Sequence, residues 1–96
     1  MMDFHKLILT THKFTYEGAI INIYHANKGE GLPKHQHNFN HATVCHVGSC
    51  VVRVKGKEIV MNCNSQPIDL PANIDHEIEA LEDNTVFVNV FAEGKY

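Results

Sequence analysis

The sequence is a succession of short segments rich in β-branched and aromatic residues and separated by turn residues, without a stretch typical of a four-turn helix. Such turn signals at close, regular spacing are typical of a β-sandwich or β-barrel. Because closing a sheet on itself removes exposed strand edges, we predict an all-β fold, a small antiparallel β-barrel or jelly roll. The predicted strands are 19–26, 42–47, 50–54, 58–61, 68–70, 76–81 and 85–92.

The length and the charge of the chain exclude several classes of protein. With 96 residues it has the size of one domain, so we predict a single unit over 1–96. The formal net charge is −3 and the basic residues are scattered, which argues against a nucleic-acid partner. No apolar run is long enough to span a bilayer, and the N-terminus lacks the apolar core of a signal peptide. We therefore expect a cytoplasmic protein that does not bind membranes.

The strand predicted at 85–92 is mostly apolar on both faces. Phe87 and Phe91 alternate with the valines at 86, 88 and 90, so each face carries large apolar side chains. In so small a domain, a strand that is buried on both sides needs a cover on its outer side. The sequence leaves two candidates for this cover: a second subunit, which predicts a homodimer, or an N-terminal strand.

Three cysteines occur, at 45, 50 and 63, in a chain without a recognisable signal sequence. An odd number of cysteines in this setting predicts reduced thiols that pack as small buried apolar residues. A two-residue hairpin at Gly48 and Ser49 would make Cys45 and Cys50 diagonal neighbours, too distant for an unstrained disulfide.

Eight histidines in 96 residues are an unusual number and point to a specialised site. His35 and His37 are two residues apart, so an extended segment places both imidazoles on one face. His41 follows four residues later, which is about 13 Å along a straight strand and too far for ligands about 2 Å from a shared ion. If these residues share an ion, the chain folds back at 38–40, where two asparagines suit a turn. His76 comes directly after a loop and begins a later strand, so distant strands are predicted to converge.

The spacing of these residues resembles the motifs of the cupin superfamily. The first cupin motif is Gly, five residues, His, one residue, His, three or four residues, Glu, six residues, Gly. It is matched by Gly29, His35, His37, His41 in the place of Glu, and Gly48. The second is Gly, five residues, Pro, one residue, Gly, two residues, His, three residues, Asn. These places are occupied by Ser65, Pro71, Asn73, His76 and Ala80.

The second motif is matched less completely than the first. Pro71 and His76 are the residues of the motif, and Asn73 can replace glycine in a turn, whereas Ser65 and Ala80 depart from it. The resemblance covers 29–80 directly and implies the cupin barrel, also described as a double-stranded β-helix.

The resemblance implies a divalent transition metal held by His35, His37, His41 and His76. Its identity among Fe, Zn, Ni, Mn and Cu is not readable from the sequence. Because His41 stands where the family usually has a carboxylate, four neutral donors would leave the ion its full +2 charge. Such an ion is a stronger Lewis acid and a better partner for an anionic oxygen. The alternative is that His41 turns away and leaves a three-histidine site.

Two functions are compatible with such a site. The first is a metal-dependent enzyme on a small anionic molecule, a carboxylate or an enolisable compound, as a Lewis-acid isomerase, cyclase or lyase or as a dioxygenase. The alternative is a non-catalytic cupin in which the metal anchors a small ligand. The fold cannot choose between them, and the sequence assigns no catalytic acid or base.

Strand alternation makes further predictions about the interior. Thr43, Cys45 and Val47 share the face of His41 and are expected to line the barrel, whereas His46 is out of phase and should point outward.

Two positions remain open in the same analysis. Either Tyr24 or His25 lines the cavity, and alternation does not say which. Asn89 is an amide on an otherwise aromatic face and therefore needs a polar partner, either behind the site or in the cavity.

Overall fold

The computed structural model describes residues 10–36 and 40–92, which form strands and contain no helix. The all-β prediction is therefore confirmed for this part of the chain. The strands are β1 (Thr10–Tyr16), β2 (Ala19–Ala26), β3 (Gly31–His35), β4 (His41–Val47), β5 (Ser49–Val54), β6 (Lys57–Asn62), β7 (Ile68–Leu70), β8 (His76–Ala80) and β9 (Thr85–Phe91).

The strands form two antiparallel sheets with the jelly-roll arrangement. One sheet has the order β1-β2-β9-β4-β7 and the other has the order β3-β8-β5-β6. Consecutive strands often lie in different sheets, so the chain crosses repeatedly from one layer to the other. Within the described ranges, no helix with the length and apolarity for a bilayer crossing is found.

Two strands, β1 and β3, were not among the predicted ones. The described side chains of β1, at 12–16, are exposed, and the polar run at 10–13 lacks the alternation that marks a half-buried strand. β3 contains Gly31 and Pro33, which are signals for turns rather than for strands. An added Cβ at Gly31 would overlap the carbonyl oxygen of Ile78, so the close approach of β3 to β8 requires glycine there.

The predicted hairpin at Gly48 and Ser49 is wrong, because β4 and β5 belong to different sheets. Gly48 is the corner between them, with a φ of +78° that favours glycine. A side chain at this position would also meet Thr85, whose Oγ1 lies 2.5 Å from an ideal Cβ.

Val47 does not line the interior, in contrast to the prediction. β4 carries one extra residue relative to β9 between Cys45 and Val47, so Val47 pairs with Val86 on the outer face. Val47 is accordingly 45% exposed. The bulge lies beyond the part of β4 that holds His41, whose pairing is regular.

The core lies between the inner faces of the two sheets. Phe87 is fully buried and stacks on Tyr24, with ring centroids 5.0 Å apart. The apolar side chains that surround this pair come from both sheets: Ala26, Leu32, Cys45, Cys50, Val52, Val54, Met61, Leu70, Ile78 and Ala80.

The prediction for the cysteines holds in part. All three thiols are free, and Cys45 and Cys50 are buried, but Cys63 is exposed. Cys63 lies in a tight turn in which the amide of Ser65 donates to the carbonyl of Asn62. Burial raises the pKa of Cys45, and it raises that of Cys50 to about 12. Both buried thiols are therefore protonated and poor nucleophiles, as expected for packing residues.

Candidate metal centre

Three of the four predicted metal ligands lie at the same end of the two sheets. His35 ends β3 and pairs with His76, which begins β8 of the same sheet. His41 begins β4 in the opposite sheet, where it pairs with Leu70 and Phe91. The predicted fourth ligand, His37, lies outside the described residues.

A bulge in β3 brings His35 to the inner face. Leu32 pairs with Ile78 and His35 pairs with His76, so β3 uses one more residue than β8 between these pairs. Strict alternation from Leu32 would turn the side chain of His35 outward. The extra residue restores the inward phase, so that His35 and His76 face the same side.

The three imidazoles are close enough to form one cluster. The ring centroids of His35 and His76 are 4.4 Å apart, and those of His41 and His76 are 5.1 Å apart. His76 is therefore the central member. His41 and His76 are 3% and 2% exposed, whereas His35 is half-buried, so the cluster opens on the side of His35. The described residues alone contain no group of three or more His, Cys, Asp or Glu side chains with metal-site geometry.

Backbone carbonyls orient two of the rings. The Nδ1 of His35 lies 2.7 Å from the carbonyl oxygen of Pro33, and the Nδ1 of His76 lies 3.1 Å from that of Ile74. A carbonyl oxygen only accepts, so in each pair the Nδ1–H donates and the Nε2 of the neutral ring carries the lone pair. This arrangement is the usual way in which a protein fixes the tautomer of a metal-binding histidine.

The charge state of His76 also suits metal binding. Burial lowers the pKa of His76, and the neighbouring His35 lowers it further, because a second positive charge so close would be repelled. The ring is thus held in its neutral form, which is the form that binds metals.

His41 faces the interior rather than solvent. Its ring stacks on Phe91 with a centroid distance of 4.7 Å and an interplanar angle of 27°. The ring of His41 also contacts that of His76, so its neighbours include one apolar ring and one imidazole.

Hydrogen bonds connect the segments that flank the three histidines. The side chain of Gln36 donates to Asp75 at 2.9 Å, and the amide of Ala72 donates to the side-chain oxygen of Asn40 at 2.7 Å. Asn73 has a φ of +62°, in the left-handed region that glycine and asparagine adopt more readily than other residues. These contacts position the segments that flank His35, His41 and His76.

Solved structures with a similar fold come from several bacteria. A cupin superfamily protein from Desulfitobacterium hafniense superposes with a TM-score of 0.76, covering 93% of this chain and 80% of its own, at 12% identity. A cupin 2 conserved barrel domain protein from Leptotrichia buccalis superposes with a TM-score of 0.75. The superposition covers 90% of this chain and 41% of that protein, at 23% identity. The chain has the cupin fold. KdgF from Halomonas sp. is also similar in fold, with a TM-score of 0.76 over 85% of this chain and 76% of its own, at 15% identity.

The similarity in shape thus agrees with the resemblance of the motif spacing to that of cupins. No family model and no curated protein matches the chain. Identities at this level establish the architecture only, because one fold supports many activities. The function has to be argued from the side chains inside this cupin.

The remaining predictions for the interior are resolved as follows. Tyr24 is buried on the inner face and His25 is exposed, and His46 points outward as predicted. Asn89 does have a polar partner, since its Oδ1 accepts a 2.7 Å hydrogen bond from Thr43. Asn22, a fully buried amide within an apolar strand, was not among the predicted interior residues. The sequence does contain a signal for it, because Asn22 is the one amide in the run Ala-Ile-Ile-Asn-Ile-Tyr.

Proposed function

We propose that this cupin binds a divalent transition metal through His35, His37, His41 and His76 and uses it to bind a small anionic molecule. The observation that carries the proposal is the convergence of His35, His41 and His76, from both sheets, at one inner position. Neutral imidazoles that donate from Nδ1 to backbone carbonyls are well suited to hold such an ion through Nε2.

The anionic ligand follows from the charge of this donor set. Four neutral ligands would leave the ion its full +2 charge in apolar surroundings that include Phe91. Uncompensated charge is unfavourable there, so a carboxylate or another anionic oxygen is the expected partner. The bound ion supplies Lewis acidity, which suits an isomerase, cyclase or lyase, or oxygen chemistry if it is iron.

Catalysis and simple binding are separated by one experiment. Protein purified without an affinity tag is analysed for its metal and then incubated with candidate carboxylic acids while oxygen and products are followed. Oxygen uptake with bound iron indicates a dioxygenase, and product formation without oxygen uptake indicates an isomerase, cyclase or lyase. Tight binding of an acid without turnover indicates a non-catalytic cupin.

A carboxylate at position 41 is expected to weaken the binding of an anionic ligand at the metal. We expect His41→Glu to retain the metal but to weaken the binding of acetate by at least about tenfold, because the site then supplies its own negative charge. Zinc-loaded proteins are titrated with acetate by calorimetry.

The matched control is His46→Glu, which makes the same change of charge on the outer face of the same strand. We expect it to bind acetate as the wild type does. Equal acetate affinity in wild type and His41→Glu, at equal zinc content, contradicts a role of His41 in setting the charge of the site.

We also propose that a second copy of the chain covers the outer face of the five-stranded sheet. β1 extends this sheet beside β2 and therefore does not cover it. The outer face of β9 is apolar and half-buried in one subunit, and Phe14 on β1 adds a side chain that is 48% exposed. Contiguous apolar surface of this kind favours association.

Val88 lies near the centre of that face, so Val88→Lys should dissociate the dimer. We expect its dissociation constant to rise at least tenfold, since a lysine there loses its hydration without gaining a partner. Sedimentation velocity over a concentration series measures the change. Val60→Lys is the control, because Val60 is 64% exposed on the other sheet. A wild-type protein that is monomeric at the highest concentration measured contradicts the proposal.

A further inference from the structure

A polar row crosses the inner face of the five-stranded sheet. Asn22 on β2 pairs with Asn89 on β9, and Asn89 pairs with Thr43 on β4. All three side chains are at most 2% exposed. The rows on either side are largely aromatic: Tyr24 and Phe87 on one, and Phe91 beside His41 on the other. Polar groups in such surroundings need hydrogen-bond partners.

Two members of the row satisfy each other and the third does not. Thr43 donates to the Oδ1 of Asn89, at 2.7 Å. Both the Nδ2 and the Oδ1 of Asn22 are buried, and neither has a hydrogen-bond partner among the described residues. An amide left in this state destabilises the fold, whereas an apolar residue would not. A molecule that entered the interior would supply the partners that its donor and acceptor lack.

Along the strands, the polar row is two residues away from the row that contains His41. The pair Asn22–Asn89 is two residues along each strand from the pair Ile20–Phe91, and Phe91 pairs with His41. Two residues along an antiparallel strand span about 7 Å. Asn22 also lies two strands away from His41, which is about 10 Å across the sheet. A ligand whose anionic end reaches the histidines can therefore bring a second polar group to Asn22 only if a carbon chain separates the two groups.

We infer that Asn22 selects ligands that carry a hydroxyl group at the far end of a carbon chain from their carboxylate. A hydroxyl can donate to the Oδ1 of Asn22 and accept from its Nδ2, which satisfies both buried atoms at once. The inference rests on the proposed function, because the carboxylate end needs the metal centre. To the proposed function the inference adds the chemical class of the ligand, which is a short hydroxy acid with its two polar groups at opposite ends.

The test uses zinc-loaded protein and unbranched acids from propanoate to hexanoate, each compared with the acid that has a hydroxyl at the far end. We expect wild type to prefer at least one hydroxy acid by about tenfold over its plain counterpart, and Asn22→Leu to abolish this preference without loss of zinc. Ile20→Leu, one row along on the same face, should keep it.

A second measurement does not depend on the metal. Metal-free Asn22→Leu should melt at the same temperature as the wild type or higher, because the substitution removes a buried amide without a partner. A clearly lower melting temperature means that the amide is satisfied within the protein and overturns the inference.

The outcomes also separate the two proposals. If the zinc-loaded protein binds plain and hydroxy acids equally, the metal centre stands and the role of Asn22 is overturned. If Asn22→Leu keeps the preference, the role of Asn22 is overturned as well. If neither kind of acid binds to the zinc-loaded protein, the proposed function and the inference both fail.

Discussion

Replacing His76 by alanine is expected to lower the affinity for zinc by at least about 100-fold. His76 is the central ring of the cluster, next to both His35 and His41, and is oriented by the carbonyl of Ile74. Its loss therefore removes one donor, and it also removes the ring that contacts both His35 in one sheet and His41 in the other. Competition with a zinc chelator of known affinity measures the change, with His25→Ala as an exposed control.

The same variant tests whether the ion stabilises the fold. A metal that links β3, β4 and β8 stabilises only the folded state, so chelation should lower the melting temperature of the wild type. His76→Ala should reproduce most of that loss and should no longer respond to the chelator. Unchanged zinc affinity in His76→Ala contradicts the proposed centre, and a melting curve that does not move after verified metal removal shows that the ion is not structural.

Replacing Phe87 by alanine is expected to destabilise the protein by about 3–5 kcal/mol. Phe87 is fully buried on the central strand β9 and stacks on Tyr24, so its removal leaves a cavity that rigid neighbouring strands cannot fill. A domain of this kind is typically stable by about 5–15 kcal/mol, so the loss is a large fraction of the total.

Urea unfolding at one fixed protein concentration measures this change, because association would otherwise contribute to the apparent stability. Val60→Ala is the control, since Val60 is 64% exposed and should change the free energy of unfolding little. A loss below about 1 kcal/mol for Phe87→Ala would show that Phe87 does not anchor the core.

Most of the architecture was predictable because its signals are local. Runs of β-branched and aromatic residues between turn residues indicate strands wherever one face is buried, as in Ala19–Ala26 and Thr85–Phe91. These signals did not predict β1, whose described side chains at 12–16 are exposed, or β3, which contains glycine and proline. A strand that gains its stability from pairing alone carries little signal in its own sequence.

The site was predictable to the extent that it depends on spacing. The intervals between Gly29, His35, His41 and His76 sufficed to predict that these histidines lie close together in a cupin, and the described ones do. The ligation of an ion by these residues and by His37 remains a prediction.

The direction of individual side chains was decided by the tertiary structure. Alternation predicts two faces for a strand but does not say which is inside, so Tyr24 and His25 could be assigned only once β2 paired with β9. Bulges have the same effect, since one extra residue turns His35 inward on β3 and Val47 outward on β4. Their positions depend on the pairing of distant strands.

The sequence by itself determined where strands form and which histidines come together, because propensity and spacing act along the chain. Only the tertiary structure decided which polar groups find partners, because hydrogen bonds in a barrel join residues far apart. Thr43 reaches Asn89 across 46 positions, whereas Asn22, on the same row, meets no partner among the described residues. That difference cannot be read from the sequence, and the inferred preference for hydroxy acids rests on it.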